Sequence, residues 1–128
     1  MDYMNHSNLQ KFNALYQILD DIKNQGNLEG IIFAYRDGKL IIENLGDKFD
    51  SKKFISMCAS VLESALGIGE ALGNREINKI VAEVEEKAII IFECDDKTFL
   101  TILIKKESNV NLILSKLKEI IQKIVKMY

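Results

Sequence analysis

The sequence is poor in the residues that most enzymes use for nucleophilic chemistry. It contains one histidine, two cysteines and no proline among 128 residues. Because His6 is the single histidine and lies near the amino terminus, a Ser/His or Cys/His nucleophilic site would lack its base. Cys58 and Cys94 lie far apart in apolar segments without a C-x-x-C partner, which favours a reducing compartment over a disulfide or a metal site. We therefore predict no catalytic residue, no metal and no cofactor.

Basic patches and long apolar runs are also missing. The net charge is −2, and lysines are interspersed with glutamates, which argues against nucleic acid as a main partner. The longest apolar runs, IIFAY and AIIIF, fall far short of the roughly 20 residues that a membrane span needs, and no secretion signal opens the chain. These absences predict a cytoplasmic protein without nucleic-acid or integral membrane contact.

The glycine-containing run from Gly67 to Gly73 has only a superficial similarity to a dinucleotide-binding loop. Its last glycine comes one residue late. The run also closes a predicted helix, whereas a phosphate-binding loop opens a helix after a strand. We interpret these glycines as places where helices approach closely or where the helix end frays.

The residues that are present predict a single domain over 1–128 with a flexible leader over 1–6. A chain of this length buries roughly two-thirds of its unfolded surface around one core. Hydrophobic periodicity predicts eight elements in the order α-β-β-α-β-β-β-α. The helices are predicted over about 7–24, 54–72 and 109–128, and the strands over 31–35, 40–42, 76–85, 88–94 and 98–104.

Turn chemistry and strand composition predict how these elements are layered. Asp37-Gly38 between two apolar runs predicts a tight hairpin, because glycine supplies the positive φ that the turn needs. Most strands are apolar on both faces, which places them between helices, and short connections make neighbouring strands antiparallel. We predict an α/β (α+β) fold: a three-layer α/β/α sandwich around a five-stranded antiparallel sheet. The long second helix covers one face and the terminal helices cover the other.

The helix predicted over 54–72 is too apolar for one buried face. At roughly 100° per residue, one apolar stripe is typical of an ordinary core face, and a second stripe is typical of a helix–helix seam. Either a partner helix or another part of the same chain covers the apolar surface that one core face leaves over. The core stripe is predicted as Phe54, Met57, Cys58, Val61, Ala65, Ile68 and Leu72, and the seam as Ile55, Ala59, Leu62 and Leu66.

The third strand, predicted over 76–85, is more polar than the others and alternates more regularly. Ile80, Ala82 and Val84 share one face. This pattern is typical of an edge strand, or of a strand that pairs only when a partner arrives.

The sequence resembles the Roadblock family, the dynein light-chain type domain also found in archaeal and bacterial GTPase regulators. The resemblance runs from about Leu9 to Ile124. It is carried by residues 28–38 around the first hairpin, by residues 65–84 from the second helix into the third strand, and by residues 109–114 at the start of the last helix. One departure is Ile113, which stands where such proteins often have glycine and which puts a close approach of another element there in doubt.

The resemblance implies a Roadblock (profilin-like) fold and a homodimer in which the third strands pair across a two-fold axis. It also implies a non-catalytic partner, regulator or scaffold of a small Ras-like GTPase, which need not supply an arginine finger. On this basis we expect self-association through Ile55, Ala59, Leu62, Leu66, Ile80, Ala82 and Val84. We expect contact with the GTPase through Ser56, Ser60, Glu63 and Gly67.

A small-ligand sensor is the alternative, because layered folds of similar element order hold ligands between sheet and helix. That function requires an internal pocket with several converging polar groups, and the sequence offers few candidates.

Overall fold

The computed structural model describes residues 6–45 and 50–128. Within these ranges the elements follow the predicted order. The predicted leader lies outside the described residues except for His6, which already begins the first helix. The elements are α1 (His6–Gly26), β1 (Gly30–Tyr35), β2 (Leu40–Asn44), α2 (Ser51–Ala71), β3 (Ile80–Val84), β4 (Lys87–Glu93), β5 (Thr98–Ile104) and α3 (Val110–Met127).

The strands form one antiparallel sheet in the order β2-β1-β5-β4-β3. The predicted hairpin between β1 and β2 is confirmed, with Gly38 at φ +96°. β3 lies at one edge of the sheet, as its alternating pattern predicts, and β2 lies at the other. β1 and β5 lie inside the sheet and are almost entirely buried, because helices cover both of their faces.

Two hydrophobic cores separate the three layers, which confirms the predicted sandwich. The core between the sheet and the α1–α3 pair contains Leu15, Leu19, Phe33, Phe92, Leu100, Ile113 and Ile124, among others. The core between the sheet and α2 contains Ile32, Ala34, Ile55, Cys58, Ala59, Leu62, Ile91, Phe99 and Leu103. Each strand in the middle of the sheet supplies side chains to both cores alternately, which explains its two-sided apolar sequence.

α1 and α3 approach each other closely where α1 ends. A Cβ atom on Gly26 would lie 2.6 Å from Cγ1 of Ile113. At this contact α1 therefore contributes the small residue, and α3 contributes the large one. The departure at Ile113 is thus accommodated by a glycine on the neighbouring helix. The left-handed residue that follows α1 is Asn27, at φ +49°.

α2 begins at a side-chain cap and packs one face on the sheet. The Asp50 carboxylate accepts a hydrogen bond from the Lys53 amide at 3.4 Å, as an N-cap residue does. By length and composition alone, α2 is apolar enough to cross a membrane. The core helix of a soluble protein passes the same test. In α2, Ile55 and Leu62 are buried against the sheet.

β3 is shorter than predicted, because the chain before it packs against the end of α2. The Arg75 amide donates to the Gly69 carbonyl at 2.8 Å, and a Cβ on Gly69 would lie 2.3 Å from the Arg75 carbonyl oxygen. This contact holds residues 75–79 away from the sheet, so the ladder begins at Ile80.

Candidate interaction surface

The structure reverses the predicted roles of the two apolar stripes of α2. Ile55, Ala59 and Leu62 are 1%, 7% and 2% exposed and belong to the core between α2 and the sheet. Leu66 is partly buried against the same core. The predicted helix–helix seam is therefore the inner face of α2, and assigning these buried side chains to a dimer interface was wrong. The chain's own sheet covers them.

The stripe predicted as the core face is instead largely exposed. Four of its large apolar side chains are 44–62% exposed, an unusual amount for adjacent residues on one helix. Cys58 is buried, and Phe54 is partly buried against the core between α2 and the sheet. The exposed side chains are Met57, Val61, Ile68 and Leu72.

The exposed stripe of α2 continues onto the edge strand. Val61, Ala65 and Ile68 line a groove of about 380 Å³ together with Ile80 of β3. Along β3, Ile80 is partly buried, while Ala82 and Val84 are exposed. We call this continuous surface the apolar seam and define it as Met57, Val61, Ala65, Ile68, Leu72, Ile80, Ala82 and Val84.

The residues predicted to contact a partner form an exposed polar strip beside the seam. Ser56, Ser60, Glu63 and Gly67 are all exposed on α2. The Ser60 hydroxyl donates to the Ser56 carbonyl at 3.2 Å, a common back-bond within a helix. Around Gly67, a Cβ atom would meet nothing within 4 Å, so no packing within the chain requires glycine there.

Arg36 joins three segments at one end of this strip, a contact that sequence reasoning missed. Its guanidinium lies 3.1 Å from the Glu63 carboxylate and 3.3 Å from the Glu93 carboxylate, and it donates to the Asp96 carbonyl at 3.2 Å. Such exposed ion pairs add little stability individually, but they fix Glu63 relative to the β1–β2 turn. Since Glu63 and Glu93 are 27 and 57 residues from Arg36, no local signal could have found the network.

The two thiols have environments that suppress nucleophilic chemistry. Burial raises the pKa of Cys58, and the neighbouring Thr101 hydroxyl only partly opposes this. Burial, together with the negative charges of Asp95 and Glu93, raises the pKa of Cys94 to about 12. Because the thiolate is the reactive form, neither cysteine is suited to nucleophilic attack.

The Asp95 carboxylate takes part in the β4–β5 turn. Burial raises the pKa of Asp95, but hydrogen bonds from Lys97 and Thr98 outweigh burial and hold it below its usual value. Both residues follow Asp95 in the β4–β5 turn. Among residues 6–45 and 50–128, no group of three or more His, Cys, Asp or Glu is placed to hold a metal ion.

Apolar side chains fill the spaces between the sheet and its helices, where a sensor domain would hold its ligand. Grooves form at the surface instead. One of about 390 Å³ lies between the start of α1 and the end of α3 and is lined by Lys11, Phe12, Leu15 and Tyr128, among others. Its Tyr128 hydroxyl is hydrogen bonded to Tyr35.

Solved structures with the same fold include an MglB protein, a Roadblock/LC7 domain and a profilin. MglB of Myxococcus xanthus superposes with a TM-score of 0.83 at 14% identity, covering 91% of this chain and 95% of that one. A Roadblock/LC7 domain from Streptomyces avermitilis superposes with a TM-score of 0.78 at 10% identity, covering 86% and 93%. Profilin II of Acanthamoeba castellanii superposes with a TM-score of 0.60 at 10% identity, covering 91% and 97%. At these identities, the likeness shows the fold.

A search of curated protein sequences found no match. The model of the Roadblock/LC7 domain matches residues 14–104, a span that begins within α1 and ends with β5 and so includes both the apolar seam and the polar strip. The match extends over most of the chain, as the resemblance in the sequence predicted, and the chain belongs to the Roadblock/LC7 domain family.

Proposed function

We propose that this protein is a non-catalytic homodimeric module that binds a small Ras-like GTPase and regulates or scaffolds it. The observation that carries the proposal is the apolar seam, in which the exposed stripe of α2 runs into the unpaired edge of β3. Contiguous exposed apolar surface on a soluble domain marks an interaction site. Membership of the Roadblock/LC7 family supports a role in protein interaction.

A second copy of the chain would fit both parts of the apolar seam, which are the edge of β3 and the exposed stripe of α2. Pairing of two β3 edges would satisfy backbone groups that are otherwise left to water. The same two-fold axis would bring the exposed stripes of the two α2 helices together. Burial of Met57, Val61, Ile68 and Leu72 would stabilise the dimer by the hydrophobic effect, which contributes roughly 25 cal/mol per Å² of apolar surface.

The polar strip is the surface proposed for the GTPase. Ser56, Glu63 and Gly67 lie outside the groove of the apolar seam, while Ser60 borders it. Gly67 leaves room for close approach of another backbone. The protein would act without supplying a catalytic group. By binding one nucleotide state more tightly than the other, it would shift the population of switch conformations in the GTPase.

Self-association is tested first, because the platform proposed for the GTPase includes both copies. Sedimentation equilibrium at micromolar concentrations should show a dimer. A protein that remains entirely monomeric under these conditions would overturn the homodimer.

GTPase binding is tested by affinity capture from the native lysate with GDP or with a non-hydrolysable GTP analogue. A captured small GTPase is then purified, and its affinity is measured by calorimetry in both nucleotide states. Gly67→Arg places a bulky side chain in the polar strip, and Asn13→Arg places one on the exposed face of α1, on the other side of the sheet. We expect nucleotide-dependent binding that Gly67→Arg abolishes and Asn13→Arg retains. If no GTPase is captured in either state, or if both variants bind like the wild type, the proposal is wrong.

A further inference from the structure

α1 and α3 meet at one end in a surface that is both apolar and basic. The two helices run antiparallel: Gly26 approaches Ile113 at one end, and at the other end the Lys11 ammonium lies 4.9 Å from the centre of the Tyr128 ring. At this second end, six large apolar or aromatic side chains are 37–45% exposed, namely Leu9, Phe12, Tyr16, Val125, Met127 and Tyr128. We call this end of the helix pair the basic tip and define it as these six residues together with Lys11, Lys123 and Lys126.

The basic tip carries uncompensated positive charge. Residues 6–17 and 120–127, which form it, contain Lys11, Lys123 and Lys126 and no acidic residue. All three lysines are exposed, and among the described residues none of them forms an ion pair. The two turns at the same end of the sheet, 36–39 and 94–97, together hold three basic and three acidic residues, so they do not neutralise the tip.

The positive charge continues along α3, where Lys116 and Lys118 are also exposed. With four lysines and Glu119, α3 carries +3, and since the chain totals −2, the residues outside α3 total −5. The positive charge is therefore concentrated on one face of a slightly acidic domain. The sequence alone does not show this patch, because Lys11 and Lys123 lie far apart in the chain and only the packing of α1 on α3 brings them together.

The chemistry of the basic tip fits an anionic membrane surface better than a protein partner. All its cations are lysines, and both arginines of the chain, Arg36 and Arg75, lie elsewhere. Protein interfaces are enriched in arginine and depleted in lysine, since the planar guanidinium binds carboxylates through paired hydrogen bonds. The attraction of lysine to anionic headgroups needs no such geometry. Tyrosine and lysine, each with an apolar body and a polar end, are also suited to the boundary between headgroups and hydrocarbon.

We infer that the basic tip docks peripherally on an anionic lipid bilayer, with its lysines at the headgroups and its apolar side chains in the interfacial region. α1 and α3 lie across the sheet from α2, so the apolar seam and the polar strip stay accessible on a docked protein. The inference does not depend on the proposed homodimer or on the GTPase. It adds a surface at which the module acts.

Co-sedimentation of the full chain with lipid vesicles tests the role of charge. We expect binding to phosphatidylcholine vesicles that contain about 30% phosphatidylserine, little binding to phosphatidylcholine alone, and loss of binding as added salt screens the charges. Lys123→Glu/Lys126→Glu should weaken binding about 25-fold or more, because each lysine near such a surface contributes about a factor of five.

The matched control is Lys52→Glu/Lys53→Glu, which makes the same change of charge at exposed positions of α2. This variant should retain most of the binding, and circular dichroism should show that both double variants keep the fold. Absence of binding to the phosphatidylserine vesicles at low salt, or an equal loss in the two double variants, would overturn the inference.

A fluorescent reporter tests which part of the surface meets the lipid. Because the chain contains no tryptophan, a single introduced tryptophan reports its own surroundings. With the phosphatidylserine vesicles, the emission of Phe12→Trp should shift to the blue, and that of Asn111→Trp, which is exposed at the opposite end of α3, should not. Poly-glutamate serves as the soluble probe for an acidic protein. A Phe12→Trp response to poly-glutamate and none to the vesicles would overturn membrane docking and assign the basic tip to an acidic protein partner.

Discussion

At the scale of the residue, the position of each apolar side chain of α2 decides whether it stabilises the fold or stays available to the proposed dimer. Leu62 is 2% exposed, while Ile68, less than two turns further on, is 58% exposed. Both are large aliphatic residues in one apolar helix, and hydropathy does not separate them. Their burial follows from the rotation of α2 on the sheet.

Ile68→Glu should dissociate the dimer and preserve the fold, because the new carboxylate is solvated in the monomer and buried only in the dimer. Leu62→Glu is the matched variant, and it should unfold the protein, because an unpaired charge in a core is not tolerated. Circular dichroism reports the fold and sedimentation reports the mass. A dimeric Ile68→Glu protein would place the interface elsewhere.

Two glycines of α2 differ in what surrounds them, and alanine substitutions should separate them. Gly67→Ala should raise the free energy of unfolding by about 0.5–1 kcal/mol, because alanine is the better helix former and meets no neighbour. Gly69→Ala should lower it by about 1–3 kcal/mol, since its Cβ would meet the Arg75 carbonyl at 2.3 Å. Urea denaturation in an Ile68→Glu background excludes any contribution from dimerisation. Equal effects at the two positions would contradict this assignment.

Cys94 should react slowly with thiol reagents at pH 8, because burial and the neighbouring carboxylates raise its pKa to about 12. Cys58 is buried and should also be slow. The rate should increase steeply when urea unfolds the protein. Rapid labelling of either thiol in the native protein, measured by mass spectrometry, would show that these environments are more open than described.

At the scale of the element, the edge strand is where the sequence prediction and the structure agree closely. The alternating pattern of β3 predicted an edge, and the strand lies at the edge of the sheet. Its boundaries were less predictable. Residues 76–79 have strand-like composition, but the contact between Gly69 and Arg75 at the end of α2 diverts them.

Val81→Pro should prevent the β3 edges from pairing and leave the hairpin intact. Val84 and Lys87 form the hydrogen-bonded pair next to the two-residue turn, and such pairs alternate along the ladder, so the N–H of Val81 points away from β4. Proline at this position removes a donor that the β3–β4 ladder does not use. Ala82→Pro is the control, and it should destabilise the fold, because it removes a donor to β4. Sedimentation should show that Val81→Pro is monomeric. A dimer of undiminished affinity would exclude β3 pairing.

At the scale of the whole molecule, the two faces of the sheet are covered unequally. Two helices cover one face, while α2 alone covers the other and retains an exposed apolar stripe beside β3. This asymmetry leaves apolar surface exposed on one side of the domain. Dimerisation would cover this surface, so folding and association should be linked.

Linkage makes the thermal midpoint depend on protein concentration. If the native state is a dimer and the unfolded state is monomeric, each tenfold increase in concentration should raise Tm by about 3–5 °C. Differential scanning calorimetry over two decades of concentration measures this slope. Ile68→Glu should abolish it, and a wild-type Tm that is independent of concentration would contradict a dimer that dissociates on unfolding.

The sequence by itself determined the element order, the antiparallel sheet, the layer to which each helix belongs and the edge position of β3. These follow from hydrophobic period, turn residues and connection length, which act over a few neighbouring residues. Only the tertiary structure decided which stripe of α2 faces inward. Both stripes are apolar, so rotation about the helix axis depends on packing against residues far away in the sequence, among them Ile32, Phe99 and Leu103 of the sheet. The same contacts leave Met57, Val61, Ile68 and Leu72 outside, where the interface is proposed.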